Sequence, residues 1–310
     1  MTEGEALRLI QVGKVKEVYE VEGTSELEFR FTDKISVFDK VIPSMIPRKG
    51  ESLCRTSAFW FERSRELGIN SHFIKMTGPG SMRVRRVKVE KDLSRIDMKS
   101  TSILVPLEFI ARYYVAGSLL DRMKKGKVTN EEVGFPRDHT PKYGEPLPEP
   151  LFEATTKLEA IDRPVTNEEA RELARLTMDE WDEIYESVMK VDGLIDRQAK
   201  SRGLIHVDGK KEFGFDEDRR LMLVDTFGTA DEDRFWDVDQ YENGKLVELS
   251  KEVVRQYYRI SGYHDMLMKS REAGVAKDHE PPIPALPESE ITKVSELYRE
   301  MFERLTGNPF

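Results

Sequence analysis

The stretch Asp208-Gly209-Lys210-Lys211-Glu212-Phe213-Gly214, followed by Arg219-Arg220-Leu221-Met222-Leu223-Val224-Asp225, decides how this chain is read. It reads as two short strands around the polar turn Asp216-Glu217-Asp218. Side chains alternate along a strand, so Asp208, Lys210 and Glu212 share one face. A hairpin brings Asp225 alongside Glu212 where the register allows. Two carboxylates and a lysine on a rigid ribbon suit a magnesium–triphosphate complex. The carboxylates hold the hard cation and the ammonium meets phosphate oxygens. A solvated strand face with cross-strand ion pairs has the same sequence pattern, and this segment alone does not choose between them.

Upstream of the ribbon, residues 7–50 read as strands and turns. Leu9 to Glu20 is a strand, a turn marked by Gly13 and a second strand, and Glu26 to Phe31 alternates as a third. The spacing of Leu53, Ala58, Phe59 and Leu67 predicts a helix over 51–67, stopped by Gly68. Strands follow at about 71–76 and 82–89. Leu107 to Tyr114 is rich in β-branched and aromatic residues, which favours a strand, although Glu108 and Arg112 would share a face of a helix as well. Leu119 to Lys125 reads as a helix. The Pro- and Gly-rich segment 134–150 reads as a long surface loop. Thr166-Asn167-Glu168-Glu169 is a capping box opening one amphipathic helix through Leu173, Leu176, Trp181, Ile184, Tyr185 and Val188. A second helical pattern spans 194–201. Ser250 caps a helix with Val253, Val254 and Tyr257, and a last helix covers 288–305 after the stiff Pro281-Pro282-Ile283-Pro284. This order predicts an α+β fold of two lobes, each with an open antiparallel sheet, divided into residues 1–106 and 107–310.

Composition narrows the function. The 310 residues are 38% hydrophobic and 35% charged, enough for a large core, and the net charge of −9 argues against broad nucleic-acid binding. The single cysteine, Cys54, excludes an internal disulfide and reads as a small buried hydrophobe. No run of 18 apolar residues occurs, and Met1-Thr2-Glu3-Gly4-Glu5 does not read as a signal peptide, so a cytoplasmic protein without membrane contact is expected.

There is no Walker A motif, no G-x-G-x-x-G, no H-E-x-x-H and no C-x-x-C pair. His72, His139, His206, His264 and His279 are scattered without metal-ligand spacing. Three further segments carry charge in suggestive patterns. In Val12-Gly13-Lys14-Val15-Lys16 a glycine-marked turn can lie over phosphates, with alternating lysines on one face. In Leu104 to Ser118, Arg112 offers a forked donor to a carboxylate or phosphate, and Ser118 stands at a helix start that favours an anion. Arg234 follows the turn Asp225 to Asp233, either as a held phosphate-binding arginine or as a packed salt bridge. Lys251 and Arg255 are four apart on one helix, as an anion clamp requires.

In combination these segments resemble the SAICAR synthetase family of purine biosynthesis. The resemblance rests on Pro106, Glu108, Arg112, Ala116, Gly117 and Ser118, and on Asp208, Lys210, Glu212, Phe213 and Gly214. It extends to Gly13–Glu20, Phe31–Ser36, Arg48–Gly50, and Ser250 and Lys251 with Arg255, all in family order. It implies a two-lobed fold related in layout to ATP-grasp and kinase-like folds. The implied enzyme uses ATP and magnesium to join a carboxylated aminoimidazole ribotide (CAIR) to L-aspartate through an acyl phosphate. By position, Gly13, Lys14, Lys16, Leu104, Glu108 and Lys157 would meet ATP, with Leu104 to Glu108 bordering adenine. Glu212 and Asp225 would hold magnesium, and Lys210 would lie near the transferred phosphoryl. Arg112, Ser118, Asp208, Arg234, Lys251 and Arg255 would serve the anionic substrates, and Asp162 would lie nearby. Thr226, Ala230 and Tyr113 depart from the usual glutamate, proline and asparagine, and regions 121–150 and 259–310 read as additions. Homo-oligomer formation stays open. A small-molecule kinase is the other enzyme reading, but no His-Arg-Asp or Asp-Phe-Gly triplet occurs. A silent nucleotide-binding protein sits poorly with Lys14, Glu212, Asp225 and Arg234 all present.

Overall fold

The computed structural model describes residues 6–159 and 162–310. Met1–Glu5, read above for a leader, lie outside the described residues. The N-terminal part runs β1 (Leu7–Val12), β2 (Lys16–Val21), β3 (Glu26–Phe31), β4 (Lys34–Val37), β5 (Lys40–Met45), α1 (Lys49–Glu66), β6 (Phe73–Gly78) and β7 (Ser81–Arg85). Five of these strands form an antiparallel sheet in the order β1-β2-β3-β7-β6, while β4 and β5 make a separate hairpin. Helix α1 buries Leu53, Cys54, Ala58, Trp60 and Phe61. Burial pushes the Cys54 thiol far up, so it is an inert core residue as expected.

The rest of the chain runs β8 (Leu107–Tyr114), α2 (Leu119–Lys124), β9 (Pro146–Thr156), β10 (Pro164–Val165), α3 (Asn167–Ala174), α4 (Met178–Lys200), β11 (Leu204–Phe215), β12 (Leu221–Val224), β13 (Asp233–Asp237), α5 (Val238–Glu242), α6 (Glu252–Ile260), α7 (Tyr263–Glu272) and α8 (Glu288–Thr306). The second sheet has the order β10-β9-β8-β11-β12, with β13 also paired to β11. Strand β11 organises it. Its first half pairs with β13, Asp208 to Lys211 pair with Arg112 to Phe109 of β8, and its last four residues pair with β12. Every residue of β11 is buried except Lys210, which is half-buried and faces a cleft.

Four readings change. The helix expected from Thr166 is two helices. Arg175 adopts a left-handed conformation (φ 53°) that ends α3, and Thr177 with Glu180 forms a full capping box that starts α4. The pattern at 194–201 is the continuation of α4. The loop expected over 134–150 yields at Pro146 to β9. Ser250 lies one residue outside the cap position of α6, which Lys251 occupies, and its Oγ accepts from the Glu252 N–H.

The two sheets meet beside β12. The Leu223 N–H donates to the Asn70 carbonyl and the His72 N–H to the Leu223 carbonyl, both at 2.9 Å. Phe109 packs edge-on against Trp181 and Phe213 behind β11. Helix α8 returns to α1, burying Tyr298, Met301, Phe302 and Leu305. Among the described residues no helix is long and apolar enough to cross a membrane.

Candidate active site

The register of the opening ribbon sets Glu212 opposite Val224, so Asp225 falls one residue beyond the pairing. There the chain turns with Asp225 at φ 62°, a conformation uncommon outside glycine. Lys16 from β2 ion-pairs with Asp225. Lys157, just past β9, lies 2.6 Å from Glu212 and 3.5 Å from Glu108. Lys210 Nζ is 2.9 Å from Glu108, 3.0 Å from Glu212 and 3.1 Å from Glu232. Three ammonium groups thus face four carboxylates on one floor.

Where burial and neighbouring charges compete, their balance decides the direction. Lys210 and Lys157 outweigh burial at Glu212 and hold its carboxyl below the usual range. Lys16, Lys157 and Lys210 do the same, more strongly, at Asp225. The carboxylates Glu232, Glu212 and Glu108 raise Lys210 against the cost of burial. At Glu108 burial prevails and the carboxyl is raised in spite of Lys210. Behind Asp225, burial pushes His72 down to about 3, so its imidazole is neutral and packs on Phe29 and Phe61.

A cleft of about 560 Å³ opens from Lys210. Its inner end holds Asp208, whose carboxylate takes Arg112 at 3.0 Å and Arg234 as well. Arg112 also donates to Glu153 at 2.7 Å, while Glu108 faces Lys210 and Lys157. Gly117 sits at φ 57°, and a Cβ there would stand 3.1 Å from both terminal nitrogens of Arg234. The bare backbone of Gly117 therefore lets the guanidinium approach closely, and Ser118 also lines the cleft. Lys251 is 3.4 Å from Asp231, and Arg255 is 3.0 Å from Glu252.

Other expected residues lie apart from this floor. Lys14 pairs with Asp39 and not with the face that carries Lys16. Gly13 makes the intervening turn, its N–H donating to the Lys16 carbonyl at 2.8 Å. Lys14, Lys157 and Asp162 border a second opening of about 810 Å³. Leu104 is buried in a small apolar patch with Met222 and Val224, against which Val87 packs.

Sequence reading missed four groups. Glu232 lies on the floor, and Thr226, at the position read as a departure, stands 3.5 Å from it. Lys49 is fully buried and donates to Asp231 at 2.9 Å. Asp192, His206 and Asp233 cluster beneath β11, where fully buried Lys211 bonds both aspartates and Tyr113 donates to Asp192. The run Asp231-Glu232-Asp233 therefore serves four lysines, Lys49 and Lys251 at Asp231, Lys210 at Glu232 and Lys211 at Asp233, which an acidic run in sequence does not disclose. Glu248, buried behind Arg234, is the fourth.

The residues fit a hard divalent cation. Glu212 has Oε1 occupied by lysines, while its buried Oε2 has no hydrogen-bond partner, and Asp225 presents a second ionised carboxylate nearby.

The model of the family described as SAICAR synthetase matches residues 9–269. The chain belongs to the SAICAR synthetase family. A phosphoribosylaminoimidazole-succinocarboxamide synthase of Thermoplasma volcanium is 54% identical, covering 97% of this chain and 99% of that one. The synthase of Nitrosopumilus maritimus is 32% identical over 97% and 99%. Among solved structures, the Saccharomyces cerevisiae SAICAR synthase complexed with SAICAR superposes with a TM-score of 0.74 at 25% identity, covering 98% and 96% of the two chains. A SAICAR synthetase in complex with ADP gives 0.67 at 26% identity over 97% and 98%. The α+β SAICAR synthetase fold with antiparallel sheets is the fold of this chain.

Proposed function

We propose that this chain is the ATP-dependent ligase that joins the carboxylate of CAIR to the amine of L-aspartate, giving SAICAR, ADP and phosphate in purine synthesis. The carrying observation is the position of Lys210, the one half-buried residue of β11, between a carboxylate floor and a cleft walled by arginines. Near-full-length identity of 54% to a named synthase supports the same reading.

In this reading the floor receives the triphosphate. Lys16 approaches phosphate oxygens from the floor, Lys14 would reach them only by leaving Asp39 on the far side of the Gly13 turn, and adenine lies near Leu104 and Glu108. Glu212 and Asp225 hold magnesium, which when bound neutralises phosphate charge and orients the triphosphate. Three lysines against four carboxylates leave one net negative charge, so a dication fits the set electrostatically.

Arg112 and Arg234, both held by Asp208, bind the ribotide with Ser118 through its phosphate or carboxylate. Lys210 lies where the reacting carboxylate meets the γ-phosphoryl group and balances the charge that moves between them. Phosphoryl transfer to the carboxylate forms an acyl phosphate. The neutral aspartate amine then attacks its carbonyl carbon, a C–N bond forms, and phosphate leaves with the C–O bond electrons and takes up the proton that the nitrogen loses. Lys251 and Arg255 stand on the side from which an anionic amine donor enters. The protein contributes position and charge neutralisation. Residues 1–106 and 107–310 act as the two walls, the first covering ATP.

Purified protein with ATP, magnesium, CAIR and aspartate should release ADP and SAICAR in equal amounts, and ATP with aspartate alone should release neither. No ADP from the complete mixture would overturn the reading.

A further inference from the structure

The outer wall of the cleft carries a group of cations that the reading above leaves largely without a ligand. Glu252, in the first turn of α6, is buried, and its carboxylate is surrounded by three guanidinium groups. Arg234 Nη2 lies at 3.3 Å, Arg255 Nη1 at 3.0 Å, and Arg259 Nη1 also contacts it. Arg234 is engaged by Asp208 as well. For Arg255 and Arg259, Glu252 is the ion-pair partner among the described residues, so the surplus positive charge of the cluster falls on these two. They are four residues apart and share a face of α6. Each guanidinium has five N–H donors in a planar fork and uses one or two of them on Glu252. The remaining donors border the cleft, which both residues line.

A second observation marks the same place. The hairpin between β4 and β5 turns at Phe38 and Asp39, with φ 52° and 67°. Such turns favour Asn and Gly, and positive φ is an outlier for a bulky aromatic residue. The tip is held in place from several sides. The Phe38 carbonyl accepts from Arg271 at 2.9 Å, and Asp39 takes both Lys14 and Lys277. The result is a Phe38 ring at the cleft mouth, 4.7 Å from the His264 ring and 5.8 Å from the Arg259 guanidinium. Retained backbone strain of this kind is characteristic of ligand clamps.

The proposed reaction brings in the ribotide's anionic groups and an amino acid with two carboxylates. Arg112, Ser118 and Arg234 at the inner end, with Lys210 on the floor, match the ribotide. The outer cations match the amino acid. We propose that Arg255 and Arg259, aligned by Glu252 and walled by Phe38 and His264, bind a carboxylate of the amino-acid substrate, and that Arg259 sets the requirement for a dicarboxylic one. This inference rests on the ligase reading.

Steady-state kinetics of Arg259→Met and Arg259→Lys test it. Arg259 is exposed and buried Glu252 keeps Arg234 and Arg255 as partners, so both variants should fold, with only a modestly lowered melting temperature. Losing a charge-assisted hydrogen bond, Arg259→Met should raise KM for aspartate about tenfold or more, with KM for ATP and CAIR changed less than about twofold. Use of asparagine, which lacks the side-chain carboxylate, should fall less than use of aspartate, so any preference for aspartate narrows. Arg259→Lys should recover part of the aspartate affinity. An unchanged aspartate KM overturns the proposal. A rise in KM for CAIR alone also overturns it and assigns the wall to the ribotide phosphate. Failure of the wild-type chain to make SAICAR is a separate result that refutes the ligase reading itself.

Discussion

Replacing Glu248 by glutamine should remove a pH dependence of stability that the wild-type fold carries. Glu248 is buried behind Arg234. Its Oε1 accepts from the Tyr143 hydroxyl at 3.1 Å, while Oε2 has no hydrogen-bond partner and Arg234 Nε stands 3.9 Å away. Burial pushes the carboxyl from 4.5 up to about 7, against the pull of Arg234, with Glu252 adding like-charge repulsion. A carboxyl raised by folding binds its proton more tightly in the native state. Its contribution is therefore fully present below the unfolded value of 4.5 and is lost as pH rises through about 7. At about 1.4 kcal/mol per pH unit this gap amounts to about 3 kcal/mol. Glutamine keeps the shape and the acceptor for Tyr143 but does not titrate. Urea unfolding of both proteins at matched pH values from about 5 to about 8 gives a difference in which all other titrating groups cancel. The variant's stability relative to wild type should climb across that range by up to about 3 kcal/mol. Parallel curves would refute the argument. A functional companion follows from the same contact. An ionised Glu248 weakens the field of Arg234 on a bound anion, so wild-type KM for CAIR should rise more steeply with pH than that of Glu248→Gln.

Glu212→Gln should lower kcat by about a hundredfold or more and raise the magnesium concentration needed for half activity, while circular dichroism shows an intact fold; full turnover would refute the metal assignment. Gly209→Ala places a Cβ 2.3 Å from both Asp233 Oδ2 and Lys211 Nζ. Because it must break a buried charge cluster, it should destabilise the protein by about 3 kcal/mol or more, and an unchanged melting temperature would show that the cluster yields without cost. Tyr298→Phe removes the hydroxyl that α8 donates to buried Asp231 and should cost about 2 kcal/mol in urea unfolding, with no loss meaning the bond contributes nothing.

The elements that sequence discloses are those with one dominant period or one clear stop. The strand reading of β8 holds because its apolar residues alternate, and in a strand Glu108 and Arg112 both point into the site from one face. The misread helix shows the limit. Apolar spacing from Leu173 to Trp181 continues across the break at Arg175, so periodicity masks a stop that the Thr177–Glu180 cap would have exposed. Strand β9 was hidden by Pro146, Pro148 and Pro150. Their period of two removes N–H groups from one edge only, which a strand tolerates. Lys49, Asp192, Lys211 and Asp233 escaped notice because long-range pairing, absent from local pattern, is what makes a charged residue a core residue.

Lys210 and Lys211 show how far the site depends on that pairing. They are adjacent and chemically identical, and only their place in the alternation of the strand separates their roles. On β11 they fall on opposite faces. Lys210 meets Glu108, Glu212 and Glu232 at the cleft, while Lys211 meets Asp192 and Asp233 in the interior. Gly209, on the interior face, supplies the room that the Lys211 ammonium and the Asp233 carboxylate fill. A slip of one residue against β8 would exchange the two lysines, set Gly209 and Phe213 into the cleft and drive Asp208 and Glu212 into the core. The buried cluster opposes that slip from one side and the four-carboxylate floor from the other. The same register that places Phe213 against Phe109 therefore places the reactive face, and stability and catalysis are specified by one strand.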